Sequence, residues 1–79
     1  MSKGSSKRRY INKPLVLSIG AKIRELRLSK NKTINDLASD CDVDYSQIAR
    51  MERGKINFSV SNLSKVAEAL KVDIKDLFP

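Results

Sequence analysis

At 79 residues the chain is long enough for one small domain but too short to enclose a deep substrate cavity. It contains no histidine and one cysteine, which argues against a zinc cluster or a disulfide within the chain, so we expect no metal, no cofactor and no small-molecule substrate. Because no apolar run approaches the ~20 residues that span a bilayer, we predict no membrane segment and a cytoplasmic location, while the net charge of +7 points to a polyanion partner.

The first segment, residues 1–14, is predicted to be a basic tail rich in Ser, Lys, Arg and Gly, with no hydrophobic period. Five cations and no acid fall in it, which leaves only +2 for the remainder. These cations are Lys3, Lys7, Arg8, Arg9 and Lys13. The folded domain is therefore expected to occupy residues 15–79.

The first two helices are predicted from spacing and from caps. Ile19, Ile23 and Leu26 follow the i, i+4, i+7 pattern of a helix from Leu15 to about Asn31. Thr33 is a typical N-cap for a second helix, with Asp36 at the third position of a capping box. The apolar face of this helix is expected to be Leu37, Ala38 and Cys41. A turn follows, in which Asp42 is expected to take a positive φ.

Three more helices complete the predicted domain, which is all-α. Asp44 is expected to cap helix three, from Tyr45 to Arg53, and Gly54 to end it. Ile48 and Met51 are predicted to face inward. Helix four is expected to follow its cap Ser59, with an apolar face of Val60, Leu63, Val66, Ala67 and Leu70. A short fifth helix would then carry Leu77 and Phe78.

Residues 33–54 place two short helices around a tight turn, in the sequence TINDLASDCDVDYSQIARMERG. With IGAKIRELR before it and NLSKVAEALKV after it, this pattern resembles the Xre-type helix-turn-helix family, the phage-repressor and controller-protein class. The resemblance covers about three quarters of the chain and implies a five-helix, lambda-repressor-like domain. It also implies a transcriptional regulator, most often a repressor or autoregulator, that binds duplex DNA at a palindromic operator as a homodimer.

The resemblance assigns residue roles one by one. Helix three corresponds to the recognition helix, which enters the major groove. The residues expected to be exposed and to face base edges are Tyr45, Ser46, Ala49 and Arg50. The residues expected to meet phosphates are Thr33, Ile34, Asn35, Gln47, Lys55, Asn57 and Arg27. Arg27 is also implied to pair with Glu52, and Cys41 is expected to be a small buried residue rather than a reactive thiol.

The end of the chain suggests a contact between two copies. Val72, Ile74, Leu77 and Phe78 form an apolar cluster that exceeds the need of a 79-residue monomer, and we predict a dimer interface there. The basic tail has two interpretations, either an arm along phosphates or in the minor groove, or a disordered solubilising segment.

Two positions depart from the family pattern. Ile34 replaces the usual Gln at the start of helix two, and Asp44 replaces the usual Ser or Thr cap of helix three. Asp42 and Asp44 also place negative charge near the expected phosphate path. These features support an alternative, a protein-interaction module or antitoxin-like partner on the same fold. An enzyme is not expected, since the chain has no histidine to act as a base, and we predict no catalytic residue.

Overall fold

The computed structural model describes residues 12–79, and the part of the chain it describes contains four α-helices, one 3₁₀ helix and no strand. The α-helices are α1 (Lys13–Ser29), α2 (Ile34–Cys41), α3 (Tyr45–Glu52) and α4 (Val60–Leu70), and the 3₁₀ helix is η1 (Ile74–Leu77). The all-α class is therefore confirmed. The prediction of a fifth α-helix is wrong, because only four residues remain for it before the chain turns extended at Phe78, and these form a single 3₁₀ turn.

α1 begins two residues before the predicted start at Leu15. The side chain of Asn12 accepts a hydrogen bond from the backbone N–H of Leu15 at 3.2 Å and so caps the helix. Pro14 lies in the first turn, where its missing N–H costs nothing. The predicted basic tail lies outside the described residues up to residue 11, whereas Lys13 and Pro14 belong to α1.

The turn between α2 and α3 forms as its sequence predicts. Thr33 and Asp36 make the predicted capping box at the start of α2, with each side chain bonded to the other residue's backbone N–H. At the end of α2, Asp42 takes the left-handed conformation with φ of 57° and ψ of 46°. This conformation lets the chain reverse direction within three residues, so that α3 begins at Tyr45 and packs against both α1 and α2.

The core lies between the four α-helices and η1, and it contains most of the residues predicted to face inward. The largest fully buried side chains are Ile23, Leu37, Ile48, Met51, Leu70, Leu77 and Val66. Cys41 is also buried, as predicted, and burial raises the pKa of its thiol. The prediction for Val60 is wrong: it is 75% exposed, because it is the first residue of α4 and precedes the buried stripe that begins at Leu63.

Candidate nucleic-acid interface

The two ends of α3 have different environments. At the N-terminal end, hereafter the leading end, Tyr45 is 52% exposed and Ser46 is exposed. One turn further on, Arg50 is exposed and its Nε donates a 3.4 Å hydrogen bond to the carbonyl of Ser46. The predicted outward orientation of Arg50 is therefore confirmed. Gln47 is half-buried beside this surface.

Ala49 does not belong to this exposed surface. Only 7% of the residue is accessible, so the expectation that it is exposed toward base edges is wrong. The physical reason is that α3 packs on two neighbours, α1 and α2, which widens its buried stripe to Ile48, Ala49, Met51 and Glu52.

The trailing end, the C-terminal part of α3, is held to α1 by an ion pair. Arg27 donates from Nε to Glu52 Oε2 at 2.7 Å and from Nη2 to Oε1 at 3.0 Å, which confirms the pairing that the family resemblance implied. Its Nη1 donates to the carbonyl of Lys32 at 2.8 Å. The hydrogen bonds with Glu52 raise the pKa of Arg27 above its usual value.

Burial of this pair changes one prediction. Arg27 is 6% exposed, and its guanidinium bonds to acceptors inside the protein on three of its nitrogen atoms. Because the side chain is buried and three of its five N–H donors are already bonded, the expected phosphate contact of Arg27 is not supported by the structure.

The start of α2 offers backbone donors. In any helix the first amides have no intrahelical acceptor, and here the capping box uses those of Thr33 and Asp36, while Ile34 and Asn35 are the first two residues of α2. The side chain of Ile34 is half-buried against the core, so this residue packs where the family pattern has a hydrogen-bonding glutamine. The hydrogen bond from the Thr33 backbone N–H lowers the pKa of Asp36, which keeps its negative charge at the helix start.

The loop after α3 adds exposed polar residues. Gly54 has a φ of 66°, and with it the chain leaves the helix as predicted. Lys55 and Asn57 are both exposed, and the backbone N–H of Lys55 donates to the carbonyl of Arg50 at 2.9 Å. This bond places the backbone of Lys55 next to that of Arg50, so that the loop continues from the exposed surface.

The predicted dimer patch is only partly exposed. Leu77 is completely buried, and Val72 and Ile74 are half-buried against the core, so the prediction is wrong for Leu77. The reason is that η1 folds back onto α1 and α4 and completes the core of the single chain. Phe78 is 42% exposed, and it borders an apolar groove of about 290 Å³ whose other walls include Leu15, Phe58 and Val60.

Sequence reasoning missed the role of Gly20. This residue is buried in α1, and an added Cβ would lie 2.8 Å from the carbonyl oxygen of Glu52. The available signal was a glycine inside an apolar helical pattern, which indicates a close approach of another backbone.

Over residues 12–79, no group of side chains could hold a metal ion, and no helix is long and apolar enough to cross a membrane.

Comparison with known proteins gives the class of this fold. The helix-turn-helix family model matches residues 23–77. The chain belongs to the helix-turn-helix family. It is 44% identical over 62 residues to the control protein C.BamHI of Bacillus amyloliquefaciens, a match that spans 77% of this chain and 76% of that protein.

Two solved structures extend the comparison. The restriction-modification controller protein C.AhdI from Aeromonas hydrophila superposes with a TM-score of 0.78 at 35% identity, covering 80% of this chain and 96% of that one. The biofilm regulator SinR, solved in complex with DNA, superposes with a TM-score of 0.71 at 32% identity, covering 75% of this chain and 95% of that one. These helix-turn-helix matches confirm the family predicted from the sequence.

Proposed function

We propose that this helix-turn-helix protein is a sequence-specific regulator of transcription that inserts the leading end of α3 into the major groove of DNA as a homodimer. The observation that carries the proposal is the exposed leading end, with Tyr45, Ser46 and Arg50 turned outward on a helix whose other end is fixed. A groove about 12 Å wide admits one α-helix. SinR, a relative with the same fold, was solved in complex with DNA, and this supports DNA as the ligand.

Arg50 is the proposed main reader of sequence. A guanidinium can donate two parallel hydrogen bonds to guanine O6 and N7, and such a pair contributes about 1–3 kcal/mol of discrimination. The single bond to Ser46 is long and leaves most of the donors of Arg50 available for this role. Ser46 offers a hydroxyl and Tyr45 an aromatic edge to neighbouring bases.

The phosphates on either side are assigned to surrounding groups. The amides of Ile34 and Asn35, with Thr33, face one strand from the start of α2, where the helix dipole favours an anion. Gln47, Lys55 and Asn57 are proposed for the other contacts. Because phosphate contacts carry no sequence information, these residues should set overall affinity and salt dependence rather than the preferred sequence.

A homodimer fits an operator with two half-sites about one helical turn, ~34 Å, apart. Phe78 and the adjoining apolar groove are the proposed contact between copies, in place of the larger C-terminal patch expected from the sequence. Bound in this way, the protein would repress by covering a promoter.

Sedimentation of the wild type and of Phe78→Ala tests the contact between copies: the wild type should be a dimer at micromolar concentration and the variant a monomer. A monomeric wild type at high micromolar concentration would contradict it.

The DNA-binding proposal is tested by selection from random duplexes. We expect enrichment of a palindromic sequence, and loss of that enrichment with Arg50→Ala. Binding that is weak, salt-sensitive and without an enriched sequence would contradict specific recognition. A stable protein partner that survives nuclease treatment would then support the protein-interaction alternative.

A further inference from the structure

The middle of α1 lies unusually close to the trailing end of α3. A Cβ built on Gly20 would be 2.8 Å from the carbonyl oxygen of Glu52 and closer still to that of Met51, whereas ordinary contacts begin at 3.4 Å. Both atoms belong to the backbone, so no side-chain rotation could relieve the overlap. Glycine is a poor residue for a helix interior, and its presence here allows two backbones to touch.

A second point of attachment lies two helical turns further along α1. Arg27 is seven residues after Gly20, about 10 Å along the helix axis, and it binds the carboxylate of Glu52 through two hydrogen bonds. Glu52 is therefore held twice, by its backbone carbonyl against Gly20 and by its side chain at Arg27. The trailing end of α3 is thus held at two separated points along α1, and the packing of α3 on α1 and α2 sets its direction.

The leading end depends on this attachment. α3 has eight residues and is about 12 Å long. Of its exposed base-facing residues, Tyr45 and Ser46 lie at the leading end, and Arg50 lies one turn further on, directly before the held residues Met51 and Glu52. A short rigid helix transmits any shift of its trailing end to its leading end. Base contacts require placement within about 0.5 Å, whereas long basic side chains can still reach phosphates after such a shift.

We infer that Gly20 is a positioning residue for DNA recognition, because its contact with Met51 and Glu52 sets the depth and tilt at which α3 meets the bases. The inference rests on the proposed function. It assigns an effect on sequence preference to a residue that is buried and therefore cannot touch DNA, and it separates that effect from general affinity.

The test is Gly20→Ala, measured against the selected operator and against an unrelated duplex. The added methyl must move the Glu52 carbonyl by roughly 0.6 Å to reach ordinary contact distance, and the nearer Met51 carbonyl by more than that. We expect operator affinity to fall about tenfold, while affinity for the unrelated duplex stays within about twofold. Both affinities are measured at a temperature at which circular dichroism shows the wild type and the variant to be folded. Ala21→Gly is the matched control, since it makes the reverse exchange at the adjacent exposed position and should leave the ratio of affinities unchanged.

Two further measurements keep the test decisive. Residual dipolar couplings report the angle between α1 and α3 without DNA, and we expect this angle to differ between Gly20→Ala and wild type. If Gly20→Ala does not fold, the double variant Arg27→Met/Glu52→Met replaces the second contact with apolar groups, a change that buried pairs often tolerate, and it should lower the same ratio.

The outcomes separate this inference from the proposed function. A folded Gly20→Ala with wild-type helix angle and wild-type affinity ratio would overturn the positioning role. When Gly20→Ala is unfolded, an unchanged ratio in the double variant would overturn the premise of that role, which is that recognition depends on how α3 is attached to α1. A wild type that selects no operator would refute the proposed function instead, and the dipolar couplings would still decide whether Gly20 sets the angle of α3.

Discussion

The leading and trailing ends of α3 differ in every property that matters for recognition. The trailing end is buried, with the carboxylate of Glu52 bound by Arg27 and its carbonyl against Gly20. Tyr45 and Ser46 at the leading end are exposed, and so is Arg50 one turn further on, whose side chain makes one long hydrogen bond, to the carbonyl of Ser46. One eight-residue helix therefore both stabilises the fold and presents a surface for binding. Substitutions of its buried residues should lower the free energy of unfolding, whereas substitutions of its exposed residues should change only what the helix contacts.

The largest expected effect is at the trailing end. Glu52→Ala leaves the guanidinium of Arg27 buried without its carboxylate, and breaking such a pair costs about 3–5 kcal/mol. Urea denaturation followed by circular dichroism measures this loss. Glu25→Ala is the control: its pair with Lys22 is exposed and 3.9 Å long, so the free energy of unfolding should change by less than about 1 kcal/mol. Equal effects of the two substitutions would contradict the contrast between the ends.

The next effect is at the leading end and concerns DNA alone. Arg50→Ala should weaken operator binding by about 1–3 kcal/mol and change the free energy of unfolding by less than about 0.5 kcal/mol. Titration of labelled duplexes and urea denaturation measure the two quantities. Lys55→Ala serves as the comparison, because it should weaken all sequences alike and reduce the salt slope by about 1. A large loss of stability in Arg50→Ala would show that this side chain supports the fold instead.

The starts of α2 and α3 differ in how they are capped. Thr33 caps α2 with its side chain, which accepts from the Asp36 N–H at 3.0 Å, whereas Asp44 makes no side-chain bond at the start of α3. Thr33→Ala should therefore lower the free energy of unfolding by about 1 kcal/mol, and Asp44→Ala by less than half of that. Thermal denaturation of both variants is the measurement. A larger cost for Asp44→Ala would mean that the leading end of α3 depends on its cap.

The smallest expected effect is a dependence on pH at the start of α2. The pKa of Asp36 is lowered in the folded protein by its bond from the Thr33 N–H. Its contribution to stability is therefore complete above the pKa of the unfolded chain, about 3.9, and is lost as the pH falls through the lower folded value. Between pH 5 and pH 2, Asp36→Asn should show a shallower loss of melting temperature than the wild type. Parallel curves would contradict this assignment.

Local features of the fold followed from the sequence, since their causes are local. The Thr33 capping box, the positive φ of Asp42 and the inward Ile48 each depend on residues within one or two turns. The burial of Ala49 and Leu77 was not predicted, because it is decided by distant helices that pack on α3 and on η1. The pairing of Arg27 with Glu52 was predicted from the family resemblance and is confirmed. The burial of Arg27, which removes it from the phosphate surface, was not predicted, because it also depends on how distant parts of the chain pack.

The proposed contacts with DNA remain predictions, and methylation by dimethyl sulfate tests the central one most directly. The reagent attacks guanine N7 in the major groove and adenine N3 in the minor groove. With the selected operator, we expect the wild type to protect guanines in each half-site, and Arg50→Ala to expose one of them again. Protection confined to adenine N3, or an identical guanine pattern for the two proteins, would contradict major-groove recognition through the leading end of α3.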